Sequence, residues 1–236
     1  MENDKRISLN KIKSKPILGK IRNSKILKEY KMTLGELNKE QWEASIGLML
    51  GDASLQTQNK GKTYRLKFEW GDKNKDYVQH VYNLFDEWVL SPPHKKVRVN
   101  KYGNTVVTWG FQTISHKAFN PLKDLYLIKG YKGISNNLVK NYLTERSLSY
   151  WFMDDGGKLD YNKNSRNKSV VLNTQSFTKE EVEILSTELG NKFNLETSIR
   201  LNKRKYIIVI DSKSYNTFLN LIDLYIIPSM KFKIPE

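Results

Sequence analysis

The chain has 236 residues, 39% of them hydrophobic, with 40 Lys and Arg against 25 Asp and Glu, for a net charge of +15. It has no cysteine, which excludes disulfides, thiolate nucleophiles and cysteine-bound metals, and its three histidines (His80, His94, His116) are too scattered for an imidazole metal site. No apolar run nears the ~20 residues a bilayer requires, so the charge excess is read as pointing to a polyanion, nucleic acid first. The length suits two domains of about 100–120 residues, or one large one.

Residues 1–32 are polar, basic and poor in apolar periodicity. They read as a basic N-terminal arm tracking phosphates, with 33–135 and 136–236 as two following halves. Acids at Glu2 and Asp4, with Lys over Arg, do not fit a transit peptide. The abundance of Lys, Asn, Ile and Tyr, whose codons are AT-rich, points to an AT-rich genome such as an organelle's.

From Asn38, "KEQWEASIGLML" reads as a helix stopping at Gly51-Asp52. A hairpin follows, "ASLQT" and "TYRLKFEW" around "QNKGK". A helix over 73–89 carries Tyr77, Val81, Leu84, Phe85 and Trp88 on one face. "SPPHKK" breaks it, and "KVRVN" and "TVVTWGFQT" pair around Tyr102-Gly103-Asn104. Helical "SHKAFNPLKDLYL" closes the first half.

The second half repeats the order. Thr144 caps "ERSLSYWFMD", which ends at Asp154-Asp155-Gly156-Gly157. "KLDY" and "KSVVLNTQ" pair around "NKNSRNK". Thr178 with Glu181 forms a capping box for a helix over 179–193, "ETSIRLN" and "YIIVID" pair around "KRK", and a last helix begins at Ser212. Each half reads α-β-β-α-β-β-α, an α+β fold with antiparallel sheets.

The strands alternate with period two. In "TYRLKFEW", Tyr64, Leu66, Phe68 and Trp70 oppose Arg65, Lys67 and Glu69. Lys96, Arg98 and Asn100 oppose Val97 and Val99, and Ser198, Arg200 and Asn202 oppose Ile199 and Leu201. One face is expected on the core and the other in solvent. A single such face is ordinarily just solvated, but Arg, Lys and Asn recurring in both halves favour a sheet that reads a DNA groove, where Arg suits guanine and Asn adenine. The candidates for DNA contact are Lys62, Arg65, Lys67, His94, Lys95, Lys96, Arg98, Asn100, Lys101, Lys158, Asp160, Tyr161, Asn162, Arg200, Asn202 and Lys203.

"SIGLMLGDA" aligns with "LSYWFMDDG" so that Asp52 meets Asp155. Both helices are apolar nearly all round and are expected to be buried on several sides. Packed about a pseudo-twofold axis, their C-terminal ends place two carboxylates together at two negative dipole ends. Such a pair favours a divalent cation on oxygen ligands, the tool phosphodiester hydrolysis uses.

The two stretches resemble two copies of the nine-residue signature of the LAGLIDADG homing endonucleases. The resemblance runs from about residue 25 to the end. It implies a monomer whose sheets form a saddle over double-stranded DNA, cutting both strands with Mg²⁺ or Mn²⁺. Asp52 and Asp155 would be the metal-binding catalytic acids, joined by the carbonyls of Gly51 and Asp154. It also implies a basic residue near each acid. Lys132 follows Asp52 by 80 residues and Lys233 follows Asp155 by 78, with Lys129 and Lys231 as near misses. Two departures stand out: Ala53 ends the first copy, and Tyr150 replaces a small residue of the second, implying an asymmetric or splayed helix pair. Two halves of radius of gyration near 13 Å span roughly 65–70 Å, on the order of 20 base pairs. An RNA maturase acting on its own intron RNA is the alternative, and a cleavage-dead DNA-binding protein a third reading that the intact acids count against.

Overall fold

The computed structural model describes residues 25–128, 130–160 and 167–236. These form two compact units, one from residues up to Asn38 with Ser54–Asn120, the other from Lys39–Ala53 with Pro121–Glu236. The helix Lys39–Leu50 therefore groups with the C-terminal part of the chain.

In the first unit, α1 (Lys25–Thr33) is followed, after the excursion of Lys39–Ala53, by β1 (Ser54–Thr57), β2 (Tyr64–Gly71), α3 (Lys75–Leu84), β3 (His94–Val99) and β4 (Thr105–Gln112). The sheet is antiparallel with order β1-β2-β4-β3. β2 alternates as read: Tyr64, Leu66, Phe68 and Trp70 are buried, with Arg65, Lys67 and Glu69 only half-buried on the other face. Phe68 lies 4.8 Å from Phe111 and 5.6 Å from Phe85, centroid to centroid, and Trp70 lies 5.1 Å from Tyr77. Aromatic pairs at such spacings add about 0.5–1.5 kcal/mol each beyond their burial.

Part of the expected basic arm is ordered helix. In α1, Leu27 and Tyr30 are buried at i, i+3 spacing, and the Tyr30 hydroxyl donates to Glu87 O at 2.6 Å. Two anchors suffice to dock a lysine-rich helix by one edge. Residues 1–24 lie outside the described residues.

β3 also departs from the sequence reading. Its apolar side is not core: Val97 is 62% and Val99 68% exposed. β3 is an edge strand, and Lys95, Lys96 and Arg98 charge an edge that would otherwise invite pairing. The edge strand of the second sheet behaves alike, with Leu201 exposed.

The second unit holds α2 (Lys39–Leu50), α4 (Asn120–Tyr126, whose first residue belongs to the other unit), the short hairpin β5 (Leu127–Ile128) and β6 (Tyr131–Lys132), α5 (Leu138–Tyr142), α6 (Glu145–Asp155), β7 (Gly156–Lys158), β8 (Val170–Leu172), α7 (Lys179–Phe193), β9 (Thr197–Asn202), β10 (Lys205–Ile210) and α8 (Tyr215–Ile222). Its four-stranded sheet has order β7-β8-β10-β9, also antiparallel. The Thr178–Glu181 capping box is present, and Thr144 caps α6 by accepting from Ser147 N. Lys203 and Arg204 turn β9 into β10 with positive φ at both, the backbone of a tight hairpin. No helix among the described residues is long and apolar enough to cross a membrane.

At the centre of this unit α2 and α6 pack on each other. Ala44, Ser45, Ile46, Gly47 and Leu48 are buried on α2, and Ser147 to Met153 on α6. The Ser147 hydroxyl donates to Glu43 O at 2.7 Å, and Arg146 pairs with both Glu40 and Glu43. The helices are not splayed where they cross. A Cβ on Gly47 would stand 2.0 Å from Ser147 O and 2.9 Å from the Tyr150 Cβ, so the backbones touch and Gly47 makes room for Tyr150.

Candidate active site and nucleic-acid faces

α2 ends at Leu50, and Gly51 and Asp52 form the turn beyond it. α6 runs through Asp155 before entering β7. Asp52 is exposed and Asp155 half-buried. Asp155 is pushed up to about 7, first by burial and then by the charge of Asp52, with Lys132 and Lys233 pulling the other way. Burial and the neighbouring charge both favour the form of Asp155 whose negative charge is met by a proton or a cation.

Asp154 ties the two ends together. Its Oδ2 accepts from Asp52 N at 3.0 Å. Gly51 is required there, because a Cβ on it would meet the Asp154 Cβ and Oδ2 at 2.4 Å. The side chain of Asp154 thus orients the turn carrying Asp52.

Each lysine bonds the carbonyl just before one acid. Lys132 Nζ donates to Gly51 O at 2.8 Å; Lys233 Nζ donates to Asp154 O at 2.7 Å and to Met153 O at 2.5 Å. Burial lowers the pKa of Lys132, opposed by Asp155, Asp154 and Asp52 in that order. Its position is built from below: the buried Tyr126 hydroxyl bonds Ile46 O at 2.7 Å, Gly133 N bonds Tyr126 O, and Ile134 N bonds the Glu181 carboxylate. Lys233 ends the 3₁₀ segment Pro228–Lys233, next to Pro235, whose carbonyl accepts from the Tyr215 hydroxyl. Of the near misses, Lys231 faces Asp223 at 3.3 Å and Lys129 lies outside the described residues.

The donor set fits a hard cation: carboxylates and carbonyls, with no sulfur and no imidazole. Among the described residues no group of three or more His, Cys, Asp or Glu side chains is placed to hold a metal. The carbonyls of Gly51 and Asp154 each accept a lysine N–H and keep a second lone pair, beside the carboxylates of Asp52 and Asp155.

The sheet registers sort the expected DNA contacts. In the first sheet, pairing puts Arg65, Lys67 and Glu69 of β2 on one face with Thr108 and Gln112 of β4 and His94, Lys96 and Arg98 of β3. Lys95 falls on the opposite face, beside Val97 and Val99. Arg65 Nη2 donates to Gln56 Oε1 at 3.1 Å. Lys62 and Lys101 are exposed on turns, Lys101 lying 5.0 Å over the Tyr102 ring. Asn100 holds its turn: its Oδ1 accepts from Tyr102 N and Asn104 N, leaving only its amide donors for a base.

In the second sheet, Arg200, Asn202 and Ser198 share a face with Val171, Ile207 and Val209, a small buried apolar cluster joined by Leu159. Lys158 lies on the other face, opposite Val170. Asp160, at positive φ, pairs with Arg200 at 3.7 Å, and Lys203 is exposed in the hairpin turn. Tyr161 and Asn162 lie outside the described residues. Sequence reasoning missed Glu69 and the Asp154 carboxylate; the only signal for Glu69 was an acid on an otherwise basic strand face.

Two acid-ended helices, each with its lysine, lie in one unit of an α+β chain with two four-stranded antiparallel sheets. The sequence profile of the LAGLIDADG DNA endonuclease family matches residues 42–218. The chain belongs to that family. It is 51% identical to a probable intron-encoded endonuclease 1 of Wickerhamomyces canadensis, over 94% of this chain and 96% of that one. The solved structure of the homing endonuclease I-WcaI bound to its DNA recognition sequence superposes with a TM-score of 0.87 at 48% identity, covering 96% of each chain. A cytochrome b mRNA maturase bI2 of Saccharomyces cerevisiae is 28% identical over 88% of this chain, which spans 50% of that protein.

Proposed function

We propose that this LAGLIDADG family member is a site-specific endonuclease, hydrolysing one phosphodiester bond on each strand of a long, asymmetric DNA target with Mg²⁺ or Mn²⁺. The observation that carries this reading is the repeated unit at the tips of α2 and α6, an acid whose preceding carbonyl is bonded by a lysine. Asp52 and Asp155 would hold the cation, which would supply water activation and charge neutralisation at the leaving oxygen. The raised affinity of Asp155 for a proton is the same affinity a cation would satisfy. Lys132 and Lys233 offer positive charge to the phosphorane as it forms, and Asp154 keeps Asp52 in place through its backbone N–H.

Residues 33–135 and 136–236 act as two unlike half-site readers, with residues 1–32 adding backbone contacts and the protein working as a monomer. Arg65, Lys67, His94, Lys96 and Arg98 supply one half; Arg200, Asn202 and Lys203 the other. The likeness of "GLMLGDA", "LSPPHKK", "NNLV", "SYWFMDDGGK" and "LNTQSFT" to the omega-intron meganuclease of yeast mitochondria supports intron homing in that organelle. The maturase reading, with intron RNA as partner, draws support from the maturase relative.

Cleavage of a duplex library containing intronless junctions, with Mg²⁺, tests the choice. Cutting at one sequence is expected, with Asp52→Asn and Asp155→Asn each at least about 10³-fold slower while still binding. Intron RNA binding with no DNA cut under any condition would transfer the assignment to the maturase.

A further inference from the structure

The basic face of the first sheet carries one acid at its centre. Glu69 on β2 is reached from two other strands: Lys96 Nζ donates to Oε2 at 2.7 Å, and Arg98 Nη2 and the Thr108 hydroxyl both donate to Oε1. The register explains the reach. Glu69 pairs with Gly110, which pairs with His94 in turn, so no side chain on β4 stands between the Glu69 carboxylate and β3 at that level. A Cβ at 110 would itself collide with Phe68 O at 2.6 Å. The Glu69 side chain is 19% exposed, Lys96 35% and Arg98 60%. The acid is therefore less exposed than either cation that bonds it. In the second sheet the edge-strand Arg200 is likewise met by an acid, Asp160.

An unassisted carboxylate on a surface meant for phosphates weakens binding. Left alone, Lys96 and Arg98 would swing to phosphate oxygens, contacts that are strong but blind to sequence. Held by Glu69, they lose that freedom and keep a fixed donor pattern suited to base edges. We propose that Glu69 is the positioning residue that sets sequence discrimination in the first half-site, by clamping Lys96 and Arg98 in place before DNA arrives. This rests on the DNA-cleaving reading above, and adds that affinity for arbitrary DNA is given up for selectivity.

The test compares the unaltered protein with Glu69→Gln and Glu69→Asp on a randomised duplex library in Ca²⁺, scoring binding at each base pair, with thermal melting alongside. Glu69→Gln should bind random-sequence duplex two- to fivefold more tightly, with a salt slope steeper by about one. It should lose roughly tenfold discrimination at two or three adjacent base pairs and keep it elsewhere. Glu69→Asp keeps the charge but not the reach, and should lose discrimination without the gain on random DNA. A parallel fall in all binding with a lower melting temperature would make Glu69 merely structural and overturn the proposal. So would loss at a single base pair with random binding unchanged, which would mean that Glu69 reads a base itself. Absence of any site preference in the unaltered protein would remove the nuclease reading, and this inference with it; a selective parent with unchanged variants would remove only the inference.

Discussion

The tips of α2 and α6 share one hydrogen-bond arrangement in different surroundings. In both, a lysine grips the carbonyl preceding the acid. Asp52, however, sits in a turn past its helix, exposed and held through its N–H by Asp154, whereas Asp155 is the last helical residue and half-buried. Lys132 makes one such bond from a two-residue strand; Lys233 makes two from a 3₁₀ turn. A repeated sequence has been fitted to one site by unlike scaffolds, so the halves are related in order and chemistry but not interchangeable.

The sharpest way to break this comparison is to remove the lysines singly. If each serves the acid beside it, Lys132→Met and Lys233→Met each slow one strand by about 10²–10³, with KM nearly unchanged. The two variants should nick opposite strands, read on a duplex with each strand end-labelled. Equal slowing of both strands in both variants would show that the lysines act on a single shared centre.

A second comparison sets Gly47 against Gly51. Both lie at close approaches to α6, but Gly47 is blocked by the main-chain oxygen of Ser147 and Gly51 by the Asp154 side chain. Gly47→Val should lose about 3 kcal/mol of stability, since neither helix backbone can yield. Gly51→Ala should lose less, while breaking the Asp154–Asp52 hydrogen bond and slowing cleavage. Denaturant unfolding and cleavage rates separate them; a Gly47 variant as stable as its parent would show that the helix contact tolerates separation.

What the sequence disclosed follows from period and local chemistry. The two acid-ended apolar stretches, the alternation of β2 and the Thr178–Glu181 box were readable because each depends on neighbours within four residues or on a short repeat. β5 and β6 were not, since two-residue strands leave no period to detect. α1 was missed because two anchors in a lysine-rich stretch resemble noise. Val97 and Val99 were assigned to the core because alternation reveals two faces but not where the helical layer ends. Asp154 bonding Asp52, and Glu69 gathering Lys96 and Arg98, depend on helix crossing and strand register, which no local pattern records.

The gentlest effect concerns charge at the two tips. Asp155 holds its proton to about pH 7 in the folded chain, against an ordinary value of 3.8. Between those values the folded protein binds a proton that the unfolded chain has released. Its contribution to stability is therefore full at low pH and is lost as pH rises toward 7, with no further change above. Asp155→Asn mimics the protonated form, so in EDTA it should melt several degrees higher than its parent at pH 8 and no higher at pH 4. Asp52→Asn, relieving Asp155 only of a neighbouring charge, should show a smaller gain in the same direction. Mg²⁺ at pH 8 should restore the parent's melting temperature and leave Asp155→Asn little changed, because the cation takes the place of the proton. A pH-independent difference between Asp155→Asn and its parent would mean that burial does not hold a proton on the Asp155 carboxylate, and would remove this contrast between the two tips.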